Sequence, residues 1–278
     1  MPWTKTTRRD YARRGDRYSS DLEDREWLLI EPFLPKPCRI GRPRTTNLRE
    51  VVNAILYMAA SGCQWALLPK QFPPPSTVQR YFYEWRDTGL LRTINHYLVA
   101  AARDLEGREA SPTAGVIDSQ SAKTTESGGV RGFDAGKKIK GRKRHIVTDT
   151  LGLMVGLVVH GADIQDRDGA LHVLKSIRTS YPWLRHIFAD GGYSGPKLKQ
   201  KLSKFGRWTL EIIKRSDLAK GFELLPRRWV VERTFAWLGR CRRLAKDFEK
   251  SIESAEAWIT LAHIRLLTRR LARYRYAA

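Results

Sequence analysis

Val116-Ile117-Asp118-Ser119 and Phe188-Ala189-Asp190-Gly191-Gly192-Tyr193 are short apolar runs that each end in a carboxylate. Runs of this kind mark buried strands whose last residue emerges at a sheet edge. The chain between and after them alternates in texture. His145 to Thr148 and Leu151 to His160 flank Asp149-Thr150 and predict a β-hairpin. Helices are expected over 166–179, 196–205, 226 to about 246, and from 251 onward. Strands are expected over 113–119, 185–190 and 208–213. These elements predict an α/β domain, a mixed five-stranded sheet with helices, spanning residues 111–278.

The region before it reads differently. Residues 1–18 hold Arg8, Arg9, Arg13, Arg14 and Arg17 with few aliphatic residues, a basic arm. Residues 19–110 are expected to be all-helical. Ser20-Asp21 precede a run of helix formers, and Leu48 to Ala60 carries apolar residues at a helical period. Ser76-Thr77-Val78-Gln79 fits a capping box and predicts a helix from Thr77. Two readings stand for this part: a helix-turn-helix-like DNA reader, or a plain helical bundle with Tyr81, Phe82 and Trp85 in its core. Gly41-Arg42-Pro43-Arg44 is compatible with an arginine hook for the minor groove, or with a solvated turn.

Composition narrows the partner. The 278 residues carry 51 Lys and Arg against 29 Asp and Glu, a net charge of +22, with 42% hydrophobic residues. Such a chain can bury a core and attracts polyanions, nucleic acid first. No apolar run approaches the roughly 18 residues of a membrane span, and the polar N-terminus has no secretory h-region. A cytoplasmic location is expected. Cys38, Cys63 and Cys241 lack paired spacing, which argues against a zinc site or a disulfide framework.

The third informative stretch is Trp229-Val230-Val231-Glu232-Arg233, which sets a carboxylate in an apolar helix, with Arg228 one turn away as a possible partner. Two strand-end aspartates and one helical glutamate suit phosphoryl transfer. Two Mg²⁺ ions about 3.5–4 Å apart can activate an attacking oxygen and stabilise a leaving one, and Mg²⁺ takes hard oxygen ligands. Asp118, Asp190 and Glu232 are therefore the candidate catalytic and metal-binding residues. No dinucleotide-binding, Walker or nucleophile-elbow motif competes. Asp163, Asp166 and Asp168 read as helix-capping acids, and Asp149 as a turn residue. The candidate DNA contacts are Arg42, Arg44, Arg80, Lys137, Lys138, Lys140, Arg142, Lys143, Arg144, Arg228, Arg240, Arg242 and Arg243.

The order strand, hairpin, helix, strand, helix, strand, helix resembles that of a ribonuclease-H-like domain. Ile117-Asp118-Ser119-Gln120, residues 141–145, Ala189-Asp190-Gly191-Gly192-Tyr193 and residues 228–238 resemble bacterial insertion-sequence DDE transposases of the IS-five family. Gly62-Cys63-Gln64-Trp65 and Ser76-Thr77-Val78 extend the likeness over nearly the whole chain. The resemblance implies a ribonuclease-H-like catalytic domain, a divalent metal (Mg²⁺, with Mn²⁺ as substitute), and cutting and joining at terminal inverted repeats. It also implies double-stranded DNA as partner and a homodimer or higher assembly on that DNA. Asp118, Asp190 and Glu232 match the family triad. In the family's last motif Arg228 and Glu232 fit, whereas Leu225 stands in place of tyrosine and Gly239 in place of lysine. The alternative reading is a catalytically silent DNA-binding regulator of the same ancestry.

Overall fold

A computed structural model describes residues 17–37, 40–41, 43–213 and 226–274. Most of the basic arm, Cys38, Arg42 and Leu225 lie outside the described residues. At the arm's end, Arg17 is tied down. It bonds Asp21, Glu50 and the Gln71 carbonyl, and the Tyr18 ring packs on Tyr57 and Phe72.

Among the described residues four α-helices come first: α1 (Asp24–Ile30), α2 (Leu48–Ser61), α3 (Pro75–Asp87) and α4 (Leu90–Leu105). Helix α1 starts later than Ser20-Asp21 suggested, because Glu23 and Glu26 form the capping box there. The Asn47 side chain caps α2 by accepting from the Arg49 and Glu50 amides, a bond of about 1 kcal/mol. Helix α3 starts at Pro75, ahead of the expected Thr77, and no side chain caps it. Proline at the first helical position needs no amide partner and is preset for the turn. Tyr81, Phe82 and Trp85 of α3 are buried. Phe82 stacks on Trp258 with ring centroids 4.5 Å apart. Tyr81, Phe82 and Trp85 of α3 therefore build core, whereas Tyr83 is exposed.

The sheet has six strands: β1 (Ala114–Lys123), β2 (Gly132–Asp134), β3 (Ile139–Asp149), β4 (Met154–Gly161), β5 (His186–Ala189) and β6 (Thr209–Ile212). Its main order is β4-β3-β1-β5-β6. Strands β1, β5 and β6 run parallel, and β3 is antiparallel to β1 and β4. The strand beyond the expected five is β2, which pairs with residues 139–141 of β3. Helix α5 (Asp166–Ile177) follows β4, α6 (Pro196–Ser203) precedes β6, and α7 (Pro226–Leu238) and α8 (Ile252–Tyr274) close the chain. Helix α7 ends at Leu238 instead of running to about 246, since Gly239 follows and residues 242–244 turn into a short 3₁₀ helix.

Helices α5 and α7 cover opposite faces of the sheet. Arg142 and Arg144 point to the side of the 244–251 segment, whereas Lys143 and His145 point to α5. Gly169 of α5 permits this contact, because a Cβ there would lie 2.3 Å from the His145 ring. Helix α8 packs on α1–α4 and on β4. Its buried His263 accepts from the Met154 amide and bonds Asn95 of α4, joining the helical layer to the sheet.

Candidate active site

Strand pairing brings the two aspartates together. Ala114 lies opposite His186 and Val116 opposite Phe188 in the parallel pair β1–β5. Two residues beyond Val116 is Asp118, still within β1, and two beyond Phe188 is Asp190, just past the end of β5 and near enough to raise the Asp118 carboxyl. Even spacing along a strand preserves the face, so Asp118 shares the face of Val116 and of its partner Phe188. Helix α7 packs on that side, with the Arg227 guanidinium 4.1 Å over the Phe188 ring.

Asp118 is a strained acid in the electrostatic sense. Burial pushes its carboxyl up to about 6, and the neighbouring Asp190 adds to the rise. The Ser119 amide, donating at 2.7 Å, and the Lys137 and Arg228 cations act the other way and do not cancel it. Asp190 accepts from the Gly192 amide at 2.9 Å, which opens the turn after β5. Tyr193 is fully buried beside the acids, and burial together with Asp118, Asp166 and Asp190 raises its phenol well above the usual range.

Glu232 takes a different position from the one its sequence context suggests. Val231, Thr234 and Leu238 form the buried stripe of α7. The Glu232 side chain is 42% exposed and Trp229 is 43% exposed. Glu232 therefore does not lie in an apolar pocket. It pairs with Arg228 one turn away at 3.2 Å. Arg228 thus stands between the acids, bonded to Glu232 and felt by Asp118. Among the described residues, no three His, Cys, Asp or Glu side chains are gathered closely enough to hold a metal ion. The donors nevertheless suit a hard divalent cation. They are all carboxylate oxygens, and Asp118 is a buried carboxylate with the like charge of Asp190 beside it, which such an ion would relieve.

Several expected DNA contacts are structural instead. Arg142 is 0% exposed and donates to Val130, Lys250, Ser251 and Asp247. Arg144 is buried and donates to the Leu244 and Lys246 carbonyls. Lys143 is buried against Asp134, Asp166 and the Ile164 carbonyl. Arg243 is buried between Glu249, the Cys63 carbonyl and the Trp258 ring. None of the four presents a free cation to a phosphate. Strand alternation is the cause: it sends 142 and 144 to one covered face and 143 to the other. Lys137, Lys138, Lys140, Arg80, Arg240 and Arg242 are exposed, and the Lys137 ammonium bonds the Ser119 carbonyl beside Asp118. Arg44 bonds the Pro35 carbonyl. The exposed Lys197, Lys199 and Lys204 of the α6 region, just past Asp190, belong with the surface cations and were overlooked in the sequence. So was Asp166. It lies in the first turn of α5, yet that helix has no side-chain cap, and its carboxylate turns toward the sheet.

A β4-β3-β1-β5-β6 sheet, with one aspartate inside β1, another just past its parallel neighbour β5 and helices on both faces, defines a ribonuclease-H-like scaffold. Residues 109–267 match the family described as Transposase DDE domain, and the chain belongs to that family. Residues 22–95 match the family described as "Putative transposase of IS4/5 family". The chain is 32% identical over 128 residues, 44% of its length, to the "Putative transposase for insertion sequence element IS402" of Burkholderia cepacia, and spans 60% of that protein. It is 35% identical over 85 residues, 31% of its length, to the uncharacterized protein y4sN of Sinorhizobium fredii, covering 67% of it. It is also 31% identical over 114 residues, 38% of its length, to the insertion element IS402 uncharacterized 16.2 kDa protein of Burkholderia cepacia, covering 76%. Among the described residues no helix is long and apolar enough to cross a membrane.

Proposed function

We propose that this protein is the transposase of a bacterial insertion element. It binds the element's terminal inverted repeats, cleaves the DNA at each end and joins the freed 3′-hydroxyls to target DNA. The single observation that carries the reading is the nearness of Asp118 in β1 to Asp190 just past its parallel neighbour β5, with α7 bringing Arg228 and Glu232 alongside. Membership of the DDE family supports it.

Asp118, Asp190 and Glu232 are the residues that would hold Mg²⁺, two ions per site, with Mn²⁺ as a substitute. When bound, the metal neutralises phosphate charge and activates the attacking oxygen. The chain's own groups prepare that event. Ser119 and Gly192 fix the two aspartates by their amides. Arg228 holds Glu232 and would have to release it. Lys137 sets a cation at the sheet edge where a phosphate would arrive. The exposed cations of residues 137–140, 240 and 242 grip the backbone of the duplex, and two or more copies of the chain hold two element ends together in the bacterial cytoplasm.

The test uses a labelled duplex bearing the inverted repeats that flank the reading frame, with Mg²⁺. The protein nicks it and joins strands, whereas Asp118→Asn and Glu232→Gln do not. Unchanged nicking by both variants removes these residues from catalysis. Binding without metal-dependent cleavage by the parent protein makes it a silent regulator, and cleavage without joined product makes it a nuclease.

A further inference from the structure

On the face of the sheet opposite Asp118, a second polar group is built around Asp166. Ser119 Oγ donates to Asp166 Oδ1 at 2.8 Å, and the Lys143 ammonium lies 3.0 Å from the same oxygen. The Ser119 amide meanwhile donates to Asp118 Oδ1 at 2.7 Å. One residue thus joins both acids, through its backbone on one face and its hydroxyl on the other. The other Asp166 oxygen reaches toward the Asp190 turn. A Cβ on Gly192 would meet Asp166 Oδ2 at 3.4 Å and Asp190 Oδ1 at 3.1 Å. Gly192 is the residue whose amide holds Asp190. Asp166 therefore lies against both Ser119 of β1 and the turn after β5.

Lys143 is the cation that balances Asp166. The other candidate is His145, whose Nε2 lies 3.8 Å from Asp166 Oδ1. The hydrogen-bond chain assigns its tautomer. His160 Nδ1 donates to the Gly161 carbonyl, so His160 Nε2 accepts from His145 Nδ1 at 2.8 Å. His145 Nε2 then turns a lone pair toward Asp166, and among the described residues it has no hydrogen-bond partner. The pair is neutral: burial lowers both rings, His145 to about 3. Lys143 in turn is fixed by the Ile164 carbonyl and by Asp134, which accepts from Ser121. Ser119 and Ser121 lie two apart on β1, opposite His145 and Lys143 of β3. One lysine thus serves two aspartates, with Lys143 buried and Asp166 about a quarter exposed.

We propose that Asp166 is a positioning residue for the reaction: anchored by Lys143, it fixes Ser119 and so holds Asp118 in the rotamer the chemistry needs. Asp166 does not itself touch DNA. This rests on the reading of Asp118 and Asp190 as catalytic carboxylates. A loosened carboxylate weakens cation binding and slows the chemical step, and it leaves DNA affinity alone. Groups that orient a ligand residue are worth about 10–100-fold in activity or metal affinity.

The experiment uses the full chain and the inverted-repeat duplex in single-turnover cleavage. Ser119→Ala, Asp166→Ala and the double variant are compared with the parent and with Asp118→Asn. Both single variants are expected to cleave about 10–100-fold more slowly, with the Mg²⁺ needed for half-maximal rate raised several-fold. Duplex affinity stays within about twofold. Because the two residues act through one hydrogen bond, the double variant loses no more than the worse single one. A second readout needs no turnover: Mg²⁺ raises the melting temperature of the parent protein, and Ser119→Ala blunts that rise. Ser119→Ala with the parent's rate and Mg²⁺ response overturns the proposal while inactive Asp118→Asn leaves the catalytic reading standing. Multiplied losses in the double variant also overturn it. An Asp118→Asn protein that cleaves like the parent sinks both together. Should Asp166→Ala not fold, the Ser119→Ala comparison decides alone.

Discussion

Asp118→Asn in metal-free protein should make the fold more stable at neutral pH. The Asp118 carboxyl titrates near 3.8 in an unfolded chain and about 6 in the fold, raised first by burial and then by Asp190. The folded state binds the proton more tightly, so stability falls as pH rises from about 4 to about 6 and stays low above that. The rise from 3.8 to about 6 is equivalent to about 3 kcal/mol. Asp118 keeps some access to solvent, so a gain of about 1–3 kcal/mol on removing the charge is expected at pH 8. For a chain of this size that is a rise of several degrees in melting temperature, on the order of 2–4 °C per kcal/mol. Asparagine can still accept from the Ser119 amide, so the bond at that end persists. The assay is thermal unfolding in a chelating buffer at pH 8 and pH 4.5, with the difference between variant and parent shrinking to about a third at the lower pH. Added Mg²⁺ should stabilise the parent more than the variant. A variant no more stable than the parent at pH 8, or a gain independent of pH, would refute the claim that Asp118 is held charged against its surroundings.

Other expectations concern packing and charge. Arg142→Met leaves Asp247 buried without its cation and should cost about 3–5 kcal/mol in urea unfolding, a loss too large for a surface cation. Lys138→Ala should leave the melting temperature unchanged, weaken binding to any duplex alike and lower the salt slope of binding by about one. Phe82→Ala removes the ring stacked on Trp258 and should cost about 3–5 kcal/mol, read by the denaturant midpoint. Gly169→Ala should destabilise the chain and alter the His145 and His160 ring signals in NMR, because the new methyl group meets the His145 ring.

Local sequence determined much of this protein. Strand or helix character followed from period-2 and period-3.6 patterns, so the hairpin at Asp149 and helices such as 48–61 were legible in the order of residues alone. Asp118 and Asp190 were visible as candidates because an apolar run ending in a carboxylate is a local signal. The basic run at 137–144 misled, since charge alone carries no information on which residues a neighbouring segment will cover. Arg142 and Arg144 become core only when residues 244–251, remote in the chain, supply carbonyls and Asp247. Glu232 misled the other way: apolar neighbours suggested burial, yet the helix rotates Val231 inward and leaves Glu232 half-exposed on Arg228. Asp166 has the position of a helix-end acid, and only the packing of α5 on β1 and β3 turns it to Ser119 and Lys143. Tertiary structure alone decided these cases. A hydrogen bond or ion pair depends on distances of a few ångströms between groups far apart in sequence, and no local pattern encodes those distances.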